Sequence, residues 1–139
     1  MIIDASGAVL GRLASFAAKR LVSGEDVIVV NAEKAVISGG RAATLERYKV
    51  KFNRLSKGTP TEGPKFYRRP DMLVKRTIRG MVGFTRPRGE LAFKRLRVFM
   101  GVPKEYADKV EKADVRAPRA ETMTIEELCR TMGWKNRLE

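Results

Sequence analysis

Reactive side chains are scarce in this chain. It has no histidine and a single cysteine, Cys129. Without imidazole, Ser-His-Asp and Cys-His catalysis are excluded, together with most zinc hydrolases. One thiol can supply neither an internal disulfide nor the four ligands of a cysteine-based zinc site. The simplest compartment for such a chain is a reducing cytoplasm. No metal and no cofactor is expected. Glu126 and Glu127 could be read as paired acids, but they follow Thr124 at the start of a short apolar stripe, where carboxylates complement a helix dipole. Cys129 lies on that stripe, so packing is expected of it rather than reactivity.

Two glycine turns could hold an anion. Gly7-x-x-x-Gly11 follows an apolar opening and precedes a helical pattern, the place where phosphate-binding loops sit. It matches neither the dinucleotide fingerprint nor the Gly-x-x-x-x-Gly-Lys-Ser/Thr loop. A tight strand-to-helix turn is the plainer reading, and a nucleotide-binding enzyme using this turn is the alternative. Ser38-Gly39-Gly40-Arg41 could be a second anion nest or simply a helix start that needs a positive φ at glycine.

The cations carry the main signal. Lys and Arg number 29 against 16 Asp and Glu, a net charge of +13. Residues 41–100 hold 17 basic and 4 acidic residues, whereas the flanking thirds are balanced, so the whole excess lies in the middle. Such self-repulsion calls for a polyanion. An anionic membrane surface fits less well, because the apolar stripes look committed to a core. No apolar run reaches the 18 residues or so that a membrane span needs, and no leader peptide is expected. Candidate RNA-binding residues are Arg41, Arg47, Lys51, Arg54, Lys57, Lys65, Arg68, Arg69, Lys75, Arg76, Arg79, Arg86, Arg88, Lys94 and Arg95. Within Lys65-Phe66-Tyr67-Arg68-Arg69-Pro70, cations alternate with rings that can stack on unpaired bases; one of Phe66 and Tyr67 is expected to pack on the core instead. No acidic residue lies between Asp71 and Glu90, so Lys75, Arg76 and Arg79 have no ion-pair partner in that stretch.

The elements that must position these cations are legible in the apolar periodicity. Met1–Asp4 reads as a strand. Leu10, Leu13, Ala14, Ala17 and Leu21 form one helical stripe with Arg12 and Lys19 opposite, ending near Gly24. Val27–Val30 reads as a strand buried on both faces of a parallel sheet, giving a strand-helix-strand unit. Leu45, Tyr48, Phe52 and Leu55 share helical spacing, with Arg47, Lys51 and Arg54 on the other side. Residues 56–70 read as a long functional loop. Asp71 is expected to cap a helix whose core stripe is Val74, Ile78, Met81 and Val82 and whose opposite arc carries Lys75, Arg76 and Arg79. Phe84–Gly89 reads as a basic turn, residues 90–96 as helix and Arg97–Met100 as a strand. Residues 104–118 read as surface structure. Thr124 to Glu127 forms a capping box, followed by a stripe of Ile125, Leu128, Cys129 and Met132 and a stop at Gly133. At 139 residues the chain fits a single domain, 1–139, with its basic block at 41–100.

The order of these segments resembles a known family. Asp4-Ala-Ser-Gly-Ala-Val-Leu-Gly-Arg-Leu-Ala14 and Val29-Val-Asn-Ala-Glu-Lys-Ala-Val-Ile-Ser-Gly39 are similar to two signatures of the universal large-subunit ribosomal protein family L-thirteen. Arg76-Thr-Ile-Arg-Gly-Met81 and Lys94-Arg-Leu-Arg-Val-Phe99 resemble its central helix and a later strand. The Arg-rich centre and the Gly101-Val-Pro103 step look closer to archaeal or eukaryotic members. Val82-Gly83 stands where members often carry Leu-Pro.

The resemblance implies a three-layer α/β/α fold around a small, mostly parallel four-stranded sheet, although periodicity alone finds three strands. It also implies a structural, non-enzymatic constituent of the large subunit that binds and stabilises large-subunit ribosomal RNA beside neighbouring ribosomal proteins. No small-molecule substrate and no membrane partner is expected, and the place is the cytoplasmic ribosome. A non-ribosomal RNA-binding regulator is the remaining alternative.

Overall fold

The computed structural model describes residues 1–54, 58–59, 61–112 and 121–135. Leu55, Lys57 and residues 113–118 of the expected surface segment lie outside them.

Strand β1 (Ile2–Asp4) runs through a turn into α1 (Leu10–Val22), and β2 (Val27–Val30) returns parallel to β1, with Ile3 opposite Val29. The stripe expected on α1 is its buried face, with Ala18 added. Gly24, at φ +100°, reverses the chain after the helix. After a 3-10 turn (Ala32–Lys34), β3 spans Val36–Ser38 and α2 spans Arg41–Phe52. Helix α3 (Pro70–Val82) and helix α4 (Pro87–Lys94) precede β4 (Leu96–Val98). The chain closes with β5 (Glu111–Lys112), β6 (Thr122–Thr124) and α5 (Ile125–Thr131).

The architecture is the expected three-layer α/β one. Four parallel strands lie in the order β4-β2-β1-β5. The fourth is β5, in a stretch that had read as plain surface. Its two residues are too few to show a period of two, so only the pairing with β1 makes it a strand. A second sheet pairs β3 with β6 in antiparallel fashion, Ile37 opposite Met123. Neither of these three-residue strands is legible in the sequence; each is defined by its pairing with the other.

Alternation along the strands puts Ile3, Val27, Val29 and Leu96 on the core side, all buried. Helices α1 and α3 cover that side and pack most extensively against each other, the alanines of α1 allowing close approach. Opposite them, Phe99 meets Tyr106 of the 3-10 segment Lys104–Lys109, with ring centroids 6.0 Å apart. Val36 bonds back to the Ala8 carbonyl and Ile125 to that of Ala35, tying the small sheet to the large one.

Several boundaries differ from expectation. Pro70 opens α3 rather than closing the loop, because the first helical position has no use for the N–H that proline lacks. Asp71 is then inside the first turn and caps nothing; it accepts from Arg69 instead, at 2.9 and 3.2 Å. Pro87 starts α4 three residues early, by the same rule. The strand after it begins at Leu96, not Arg97. On α3, Met81 is 45% exposed and is not a core residue; Leu73 takes that place beside Val74, Ile78 and Val82. The Met81 sulfur sits 3.5 Å from the Ser15 hydroxyl on α1. The capping box and its stripe are as expected: Thr124 Oγ1 accepts from the Glu127 N–H at 3.2 Å, and Ile125, Leu128 and Cys129 are buried.

The Val82-Gly83 step makes a specific junction. Gly83 ends α3 with φ +70°, a conformation that favours glycine. Its carbonyl accepts from the Arg86 N–H at 3.1 Å. Gly89, one turn into α4, backs directly onto it: a Cβ there would lie 2.2 Å from that oxygen. Two glycines therefore set the angle between α3 and α4.

Candidate nucleic-acid interface

Helix α3 divides as its sequence requires. Val74 and Ile78 are fully buried, while Lys75, Arg76 and Arg79 lie around the other side. Each cation rests on an aromatic ring. The Arg76 guanidinium lies 4.0 Å from the Phe66 centroid, Arg79 lies 4.0 Å from Phe84, and Lys75 Nζ lies 5.4 Å from Phe93. Arg76 also donates to the Lys65 backbone carbonyl, joining the loop to the helix. A guanidinium seated over a ring still presents N–H donors to phosphate oxygens or base edges. Among the described residues, none from 72 to 89 enters an ion pair.

Phe66 is the ring that packs. It meets Phe52 of α2 edge-on, with centroids 6.0 Å apart, and Phe52 in turn meets Tyr48. Tyr67 stays 53% exposed. Around Tyr48 stand Arg47 and Lys51, at 5.7 and 5.1 Å from its ring centroid. Burial pushes the Tyr48 phenol above its ordinary value despite the opposing charge of Arg47. Between α2 and α3 lies a cavity of about 250 Å³, lined by Tyr48, Lys51, Phe52, Phe66, Tyr67 and Arg76 among others. Lys51, Lys75, Arg76 and Arg79 thus come together around one aromatic-rich surface, with the Lys65 backbone tied to it through Arg76.

The remaining candidates are distributed otherwise. Lys94 and Arg95 line a second cavity, about 520 Å³, with Asp26, Ile28, Leu91 and Arg97. Arg97 is not among the candidates that the sequence singles out. Its signal was the alternation itself: Leu96 points inward, so Arg97 points out. Lys94 pairs with Glu90 at 3.1 Å, and Arg41 with Glu127 at 2.7 Å. Arg69 is held by Asp71, and Arg68 lies against Gly133 at the end of α5. Arg88 donates to the Val22 carbonyl at 3.2 Å, where it caps the negative end of α1. Arg54 and Arg86 are exposed. Lys57 lies outside the described residues.

Neither glycine turn offers a free anion cradle. The Gly7 N–H bonds to the Lys34 carbonyl at 3.1 Å, and Gly39 N–H bonds to that of Glu121 at 2.9 Å. The carboxylate of Asp4 already takes the Ser6 N–H and hydroxyl and the Asn31 side chain, all within 3.0 Å. Partial burial raises its pKa, but these hydrogen bonds and the Lys34 charge outweigh that, and the net shift is downward. At the second turn Glu121 and Glu127 stand nearby, which disfavours a phosphate. No cluster of potential metal ligands occurs among the described residues. No described helix is long and apolar enough to cross a membrane.

A family model described as ribosomal protein L13 matches residues 1–105. A large ribosomal subunit protein uL13 of Archaeoglobus fulgidus is 46% identical to this chain over 96% of it and 88% of the relative. Its counterpart in Methanococcoides burtonii is 48% identical over 96% of this chain and 98% of the relative. The one from Methanocaldococcus jannaschii is 41% identical over the same shares.

Proposed function

Since the chain belongs to the ribosomal protein L13 family, we propose that it is a structural constituent of the large ribosomal subunit that binds and stabilises large-subunit ribosomal RNA. Membership in that family carries no catalytic role. The observation that supports RNA as the partner is the outer face of α3, where three cations stand on three rings with no ion pair from residue 72 to 89 among the described residues. The RNA contacts are assigned to the block 41–100, with Lys51, Lys65, Lys75, Arg76 and Arg79 at the centre and Lys94, Arg95 and Arg97 as a second group. Arg41, Arg69 and Arg88 divide their donors between RNA and the fold.

Phosphate contacts position a protein without reading sequence, so recognition rests on RNA shape and unpaired loops. The site of action is the cytoplasmic ribosome, beside neighbouring ribosomal proteins. The test is sedimentation of the tagged chain from its own host on sucrose gradients. The chain should stay with the large subunit through mild salt washes; release under those conditions would favour a free RNA-binding regulator.

A further inference from the structure

We infer that a niche beside Tyr67 captures one unpaired RNA base, with the adjoining backbone phosphate held by the α3 cations. A cavity of about 230 Å³ is lined by Tyr67, Met72, Lys75, Arg76, Arg79 and Phe93. It has apolar and aromatic walls, three cations and no carboxylate in its lining. This inference rests on the RNA-binding reading and specifies what one part of that surface takes.

Four observations converge. Tyr67 is the large exposed ring of this surface, whereas its neighbour Phe66 is spent on Phe52 and Arg76. Pro70 begins α3 three residues later, and the Arg76 bond to the Lys65 carbonyl fixes the loop on its other side, so the ring stands on an anchored segment. The ring and Met72 offer the soft apolar contact that suits the face of a base. The charge is also right: the Arg76 and Arg79 guanidiniums stand 4.0 Å from the Phe66 and Phe84 centroids, and neither enters an ion pair among the described residues. A base flipped out of its stack needs a ring face for the base and cations for the charge that travels with it. A base-paired duplex cannot use this niche, because its ring faces are occupied by neighbouring pairs. The occupant is therefore a bulged or looped nucleotide, and the niche gives the protein a preference for a particular RNA shape that phosphate contacts alone do not supply.

The experiment uses the full chain bound to deproteinised large-subunit ribosomal RNA. Affinity is measured at several salt concentrations for wild type, Tyr67→Phe and Tyr67→Ala, and the RNA is probed with reagents for all four bases. Tyr67→Ala should lower affinity roughly five- to 150-fold, the range for removing one base–aromatic stack. Its salt dependence should match wild type, because no charge is lost. One unpaired base protected by wild type should become reactive, and Tyr67→Phe should restore both affinity and protection. Wild-type affinity for Tyr67→Ala, or a loss with no single base exposed, overturns the niche while leaving RNA binding intact. Failure of the wild-type chain to bind this RNA saturably overturns the RNA reading and the niche with it. Equal melting temperatures for the three proteins exclude misfolding, as expected for a half-exposed loop side chain.

Discussion

Replacing Lys75, Arg76 and Arg79 together by glutamine tests the interface most directly. None of the three enters an ion pair among the described residues, so no carboxylate is orphaned by the change. The buried face of Val74 and Ile78 keeps the helix in place. The structural loss comprises the stacking on Phe93, Phe66 and Phe84, at about 0.5–1 kcal/mol for each exposed cation–ring pair, and the Arg76 hydrogen bond to the Lys65 carbonyl. RNA binding should change in a way that counts the contacts. Each phosphate neutralised on a duplex-like site contributes about 0.9 to the slope of log affinity against log salt, so three contacts contribute ~2.7. The deficit of the variant should therefore be largest at low salt. It should shrink roughly forty-fold as salt rises fourfold from about 50 to about 200 mM, against roughly twelve-fold for two contacts and three- to four-fold for one. Filter binding to deproteinised large-subunit ribosomal RNA across that range reads the number. A deficit that stays constant with salt would mean that the residues do not meet phosphates. No deficit at all would mean that this face of α3 is merely solvated.

Other parts of the structure make independent demands. Gly89→Ala puts a methyl group 2.2 Å from the Gly83 oxygen, which is fixed by the Arg86 N–H; the helices must move apart, at a cost of about 1–3 kcal/mol or more, read by denaturant unfolding. Ile78→Ala should destabilise by about 2–5 kcal/mol, whereas Met81→Ala on the same helix should change stability little; equal losses would show that the faces of α3 are reversed. Burial pushes the Cys129 thiol up to about 12, with the Asp71 charge adding to it, so thiol reagents at pH 8 should leave the native chain unmodified and label it only on unfolding. The folded-state pKa of Asp4 lies below 3.8, so its contribution to stability is present above that value and lost as pH falls through the folded pKa; a carboxyl titration by NMR with its midpoint above 3.8 would contradict the turn geometry.

Much of this molecule was legible from one-dimensional pattern. The helices α1, α2, α3 and α5 announce themselves by apolar spacing, β2 by an unbroken β-branched run, and the concentration of charge in residues 41–100 by counting. These properties are local: a residue's neighbours along the chain are also its neighbours on the helix face, so period and charge survive without any fold. The relation of Phe66 to Tyr67 was half legible, since composition could say that one ring packs but not which.

What only the tertiary structure decided is what depends on partners far along the chain. Strands β3, β5 and β6 are two or three residues long and exist because β3 pairs with β6 and β5 with β1, which no local period records. Leu73 displaced Met81 from the core because α1 and α3 meet at a particular rotation, bringing Ser15 to the Met81 sulfur. Arg41 and Arg88 were drawn partly into the fold by Glu127 and by the end of α1, 86 and 66 residues away. The niche of Tyr67, Met72 and Phe93 unites a loop and two helices. Sequence carries which residues can bury or bear charge. Packing alone settles which surfaces remain once every apolar face has found its cover and every backbone donor its acceptor.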